Sequence, residues 1–76
     1  MYIGIGGLYR DEDVITEIIE DVIPQRNIEE YVDVPKGFTY HLDISRSELN
    51  ELRDMLDDAE RSGEILAYAY YDKDWR

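Results

Sequence analysis

Cysteine is absent from the 76-residue chain, which excludes a disulfide framework, thiolate zinc centres and cysteine catalysis. Basic side chains are scarce, with 8 Lys and Arg against 19 Asp and Glu and a formal charge of −11. A protein needs Lys and Arg to displace phosphate counterions, so direct nucleic-acid binding is not expected. No apolar run approaches the roughly 20 residues that span a bilayer. The N-terminus also lacks the basic start and apolar stretch of a signal peptide, and the expectation is a soluble, cytoplasmic protein. The length allows one domain, residues 1–76. A domain of this size hides only about 60% of the surface its unfolded chain exposes, which leaves no room for a deep cofactor cavity.

What is present is enough to fold. Leu, Ile, Val and Phe supply 20 of the 76 residues, above the floor of about 20% below which disorder is expected. Seven Tyr and one Trp add large units for burial. Tyr2 to Tyr9 is short and rich in glycine, with Ile3 and Ile5 on one face by the period of two, and reads as a strand. From Asp11 to Ile23 the apolar positions Val14, Ile15, Ile18, Ile19, Val22 and Ile23 recur at helical spacing. The acids Asp11, Glu12 and Asp13 suit the positive N-terminus of that helix, and Pro24 ends it.

Ile28, Val32 and Val34 alternate with polar residues, as do Phe38, Tyr40, Leu42 and Ile44 beyond Pro35-Lys36-Gly37. This predicts a hairpin with a three-residue turn and Gly37 in the left-handed conformation, pairing Val34 with Phe38, Val32 with Tyr40 and Ile28 with Ile44. Ser45 to Glu48 fits a capping box, with Ile44 and Leu49 placed as a hydrophobic staple. The helix it opens buries Leu49, Leu52, Met55, Leu56 and Ala59 and stops at Gly63. Ile65 to Tyr71 reads as a last strand whose two faces are both apolar, so its parity stays open. The tail Asp72–Arg76 is expected to be loose unless Trp75 docks.

The element order β-α-β-β-α-β resembles the ferredoxin-like split βαβ arrangement. That resemblance implies an α+β fold with an antiparallel four-stranded sheet in the order 4-1-3-2 and two helices on one face. The other face would be open, carrying Tyr31, His41, Glu29, Asp33 and Asp43, with Tyr68 and Tyr70 beside Gly4 and Gly6.

No catalytic constellation emerges. Gly4-Ile5-Gly6-Gly7 precedes a helix, as in phosphate-binding loops, but Asp11, Glu12 and Asp13 would repel a phosphate. Glycines that seat a cross-strand tyrosine explain the segment better. His41 is the one histidine; Asp43 could orient it, but no Ser or Cys nucleophile is placed by a motif. The many acids form no calcium loop of the D-x-D-x-D-G kind. Neither catalytic residues, a cofactor nor a metal is expected.

The distribution of acids carries the functional signal. Asp13, Glu17 and Glu20 fall opposite the isoleucines of the first helix, flanked by Asp21 and Glu12, and no basic residue lies between Arg10 and Arg26. Six acids from Asp11 to Asp21 spread over about 16 Å, roughly one per 3 Å of axis. A single nucleic-acid strand carries about one charge per 3.4 Å. The second helix, with Glu51, Asp54, Asp57 and Asp58, is partly offset by Arg53 and Arg61, and Asp57 and Arg61 form an i,i+4 pair.

In size, acidity, element order and lack of catalytic motifs the chain is similar to the phage-type nucleic-acid mimics, the anti-CRISPR and antirestriction proteins. The resemblance implies an inhibitor acting in the host cytoplasm, with a basic nucleic-acid-binding protein as partner. Asp13, Glu17, Glu20, Asp21, Glu51, Asp54, Asp57 and Asp58 would be the contact residues. Two other readings stand beside it: acidity that serves only solubility or a saline habitat, and a regulatory or assembly module that forms a homodimer through the open sheet face with Tyr31, His41, Tyr68 and Tyr70.

Overall fold

The computed structural model describes residues 1–72; the part of the tail beyond Asp72, with Trp75, lies outside the described residues. The first strand, β1 (Tyr2–Leu8), leads through a short 3-10 turn into the helix α1 (Glu12–Val22). A hairpin of β2 (Ile28–Val34) and β3 (Gly37–Asp43) follows, then the helix α2 (Arg46–Ser62) and the last strand β4 (Tyr68–Asp72). The fold is α+β, with one antiparallel sheet of four strands in the order β2-β3-β1-β4. From the β4 edge this order is 4-1-3-2.

Alternation on the strands and helical spacing on the helices converge on one core. Ile3 and Ile5 of β1, Phe38 and Leu42 of β3, Ile15 and Ile19 of α1, and Leu52 and Leu56 of α2 are all buried in a single cluster. Each such side chain contributes roughly 1.5–3 kcal/mol of burial. The helices divide the sheet between them. Thr16 and Glu12 of α1 bond to Tyr40 and Tyr31 of the β2–β3 half, whereas Arg53 and Asp57 of α2 bond to Tyr70 and Tyr68 of β4.

The helix boundaries follow their local chemistry. Ser45 Oγ accepts the Glu48 N–H at 3.2 Å, and the Glu48 carboxylate accepts the Ser45 N–H at 2.9 Å, completing the capping box. Ile44 and Leu49 beside it are both buried. At the far end Gly63 takes φ +84° and closes the helix. Asp11, at the start of α1, does not cap it. Its carboxylate is 1% exposed and accepts the Leu66 N–H at 3.0 Å and the Arg10 Nε–H at 3.2 Å, tying the approach to β4 onto the beginning of α1.

Three expectations are corrected by the sheet register. The hairpin turn has two residues, because Val34 pairs with Gly37 and the positive φ, +67°, falls on Lys36 instead of Gly37. Pro35 followed by a positive φ is the pattern of a type II turn. The pairing therefore slips by one, and a one-residue slip moves side chains to the opposite face. Asp33 lies opposite Phe38, Val32 opposite Thr39 and Tyr31 opposite Tyr40, while a bulge between Ile28 and Glu30 brings Ile28 back to the core side opposite Leu42. Finally, β4 starts at Tyr68 instead of Ile65, and its pairing with β1 sets Tyr68 opposite Gly7 and Tyr70 opposite Ile5.

Candidate functional site

The outer face of α1 is built by the same periodicity that builds the core. With Ile15, Ile18 and Ile19 turned to the sheet, a rotation of about 100° per residue sends Asp13, Glu17 and Glu20 into one arc of about 60° on the far side. Asp21 borders that arc. All four are exposed, and none forms an ion pair with another described residue. Of the six acids in this stretch, two are withdrawn from the row: Asp11 is buried, and Glu12 accepts the Tyr31 hydroxyl. Four remain over about 12 Å, one per 3–4 Å of axis, still close to the spacing of phosphates in a single strand.

On α2 the expected residues divide. Glu51 and Asp54 are exposed and unpaired among the described residues. Asp58 pairs with Arg61 at 3.2 Å, in place of the expected Asp57–Arg61 pair. Asp57 instead accepts the Tyr68 hydroxyl at 2.6 Å. Burial and this bond to a carboxylate both push the Tyr68 phenol above its ordinary range. The guanidinium of Arg53 lies 4.4 Å from the centre of the Tyr70 ring. Asp57 and Arg53 thus hold β4 against α2, and their charges are spent within the fold.

Of the residues expected on the open sheet face, His41 and Asp43 stay there, whereas Tyr31, Tyr68, Tyr70 and, opposite Phe38, Asp33 lie on the helix side. Tyr31 stacks on Phe38 on the helix side, with ring centres 5.9 Å apart, and its hydrogen bond to Glu12 raises the phenol well above its ordinary range. Tyr68 and Tyr70 also turn to the helix side, toward Asp57 and Arg53. His41 remains, oriented by Glu30 and not by Asp43. Its Nδ1 lies 3.1 Å from Glu30 Oε1 and its Nε2 3.1 Å from the Tyr71 hydroxyl. Asp43 meets the N-terminal amine at 3.5 Å. Tyr71 lies over Gly4, where a Cβ would come within 2.4 Å of the phenol ring, so the glycine does seat a tyrosine, one position beyond Tyr70.

Glu30, His41 and Tyr71 form a carboxylate–imidazole–phenol line on this face, and Glu30 and Tyr71 were not foreseen in that role. The lateral relation of the hairpin strands and the parity of β4 bring them together, and neither leaves a local trace in composition. The line fixes Tyr71 flat on the sheet. Among the described residues no group of three or more His, Asp or Glu side chains is placed to hold a metal ion, and no helix is long and apolar enough to cross a membrane.

No protein-family profile matches this chain, and neither the curated proteins nor the solved structures contain a match.

Proposed function

We propose that this protein is a small acidic binding protein, not an enzyme, that occupies the Lys/Arg groove of a nucleic-acid-binding partner such as a CRISPR effector or a restriction enzyme. One observation carries the reading: Asp13, Glu17, Glu20 and Asp21 stand in an exposed row without a compensating cation among the described residues. On α2, by contrast, Asp58 is answered by Arg61. The row on α1 is left bare at strand-like spacing, on a rigid helix anchored by buried isoleucines. Electrostatic complementarity would give fast encounter and displacement of the true substrate. The contact set is Asp13, Glu17, Glu20 and Asp21, extended by Glu51 and Asp54. The strand order and the two crossover helices support a ferredoxin-like scaffold, and a phage-encoded inhibitor of the anti-CRISPR or antirestriction kind would work in the host cytoplasm.

The test is competition against a panel of purified CRISPR effectors and restriction enzymes, with DNA binding as the readout. The protein should displace DNA from its target, and the effect should weaken steeply as salt rises. Reversing charge with Glu17→Lys and Glu20→Lys should abolish inhibition while the circular dichroism spectrum stays unchanged. Equal inhibition by that variant would remove α1 from the site.

A further inference from the structure

The two edges of the sheet are treated oppositely. The β2 edge carries Glu29, Glu30 and Asp33 and a bulge between Ile28 and Glu30, devices that keep a free edge from pairing with another chain. Among the described residues the β4 edge has no bulge and one charge, Asp72 at its end. Ile65 to Tyr71 is seven residues without charge, glycine or proline, in a chain whose acids crowd nearly everywhere else. Among the described residues β4 pairs with β1 alone, and large apolar side chains are exposed here: Leu66 at 58%, Tyr71 at 45% and Tyr70 at 39%.

From this we infer that β4 is an interaction edge whose occupant is a second copy of this chain, joined β4 to β4 in antiparallel fashion about a two-fold axis. The strand is self-complementary in that register. With the axis at Tyr70, Tyr70 faces the partner subunit's Tyr70, Ala69 faces the partner subunit's Tyr71, and Tyr68 faces the partner subunit's Asp72. The alanine opposite a tyrosine repeats the small-on-large match that seats Tyr71 over Gly4, and aromatic cross-strand pairs stabilise antiparallel sheets. The product is a continuous sheet of eight strands.

Charge decides where such a joint can lie. Two molecules of −11 each repel, but the bare row on α1 sits over the β2–β3 half of the sheet. In the joined sheet the β3 strands of the two copies are five strand spacings apart, about 24 Å, or about three screening lengths at physiological salt. Among the described residues Arg53, set against Tyr70, Asp57, bonded to Tyr68, and Asp72 at the strand end lie beside the joint, and α2 above it also carries the exposed Glu51 and Asp54, a repulsion that salt screens. Screening therefore favours this contact, and the dimer strengthens with salt, whereas binding through the acidic row weakens.

Sedimentation velocity tests this directly, from about 10 µM to about 1 mM protein, the range in which contacts of less than standard size associate. The dimer fraction should rise with concentration, and rise further between about 0.05 M and about 0.5 M salt. Ala69→Lys places a charge on an exposed edge position and also lowers the net charge, so a purely charge-governed association would grow; the edge joint predicts a monomer. A synthetic peptide of residues 65–72 should dissociate the wild-type dimer, giving a second readout should the variant fold poorly. Glu17→Lys with Glu20→Lys should leave the dimer intact, and Ala69→Lys should leave DNA competition intact. A monomer throughout, or a dimer indifferent to both Ala69→Lys and the peptide, would overturn the inference.

Discussion

The bare row on α1 should cost the fold stability, and the cost can be worked out. Asp13 and Glu17 are an i,i+4 pair, as are Glu17 and Asp21, and Glu17 and Glu20 are an i,i+3 pair. Like charges at such spacings on a helix destabilise it by about 0.2–0.5 kcal/mol per pair. Glu17 takes part in all three. Replacing Glu17 and Glu20 with glutamine preserves size and helix propensity and breaks no ion pair, since neither carboxylate has one. The variant should be about 0.6–1.5 kcal/mol more stable, which for a domain of this size raises the midpoint by about 3–10 °C. Thermal unfolding followed by circular dichroism at about 0.05 M salt measures this, and the gain should vanish at about 1 M salt, where the screening length falls to about 3 Å. The same variant should lose the ability to compete with DNA, so stability and function move in opposite directions. A midpoint that stays put or falls at low salt would refute the reasoning, because the carboxylates would then be compensated rather than bare.

Other consequences are equally direct. Leu52 is fully buried among core side chains, so Leu52→Ala should cost about 2–5 kcal/mol, enough to leave a core of this size largely unfolded, as far-ultraviolet circular dichroism would show. Gly6→Ala would bring a Cβ within 1.9 Å of the Phe38 carbonyl oxygen, a backbone clash, whereas the Cβ of Gly4→Ala meets the outer end of the Tyr71 ring. Urea melts should show a severe loss for the first and a mild one for the second, and in Gly4→Ala the nuclear Overhauser effects between the His41 and Tyr71 rings should disappear. Because the bond to Glu12 raises the Tyr31 phenol, the native state holds that proton after the unfolded chain has released it. The stability from this bond is full below a pH of about 10 and declines as pH climbs further, toward the raised native value. Tyr31→Phe should flatten the decline in urea titrations taken on either side of that pH, and an unchanged slope would show that the bond does not hold in solution.

Much of this architecture is legible in the amino-acid sequence. The isoleucines of α1 at helical spacing, the Ser45–Glu48 box with its Ile44 and Leu49 flanks, and the stop at Gly63 are all encoded within a turn or two of chain. The site was half legible. Asp13, Glu17, Glu20 and Asp21 stand outward because the residues that alternate with them must go inward. Asp11 and Glu12 could not be subtracted from the row in advance, since their partners, Leu66 and Tyr31, lie far along the chain.

Local periodicity, then, is sufficient to specify which segments become helix or strand and which side of α1 meets water, since each depends on contacts between near neighbours. The faces of β2 and β4 are another matter. Whether Lys36 takes a positive φ turns on the register in which β2 meets β3, and whether Tyr70 or Tyr71 lies over the sheet turns on pairing with the distant β1 and on Arg53 and Asp57 of α2. A strand with apolar residues on both sides holds no preference of its own, so its orientation is set when long-range packing makes one parity the better fit.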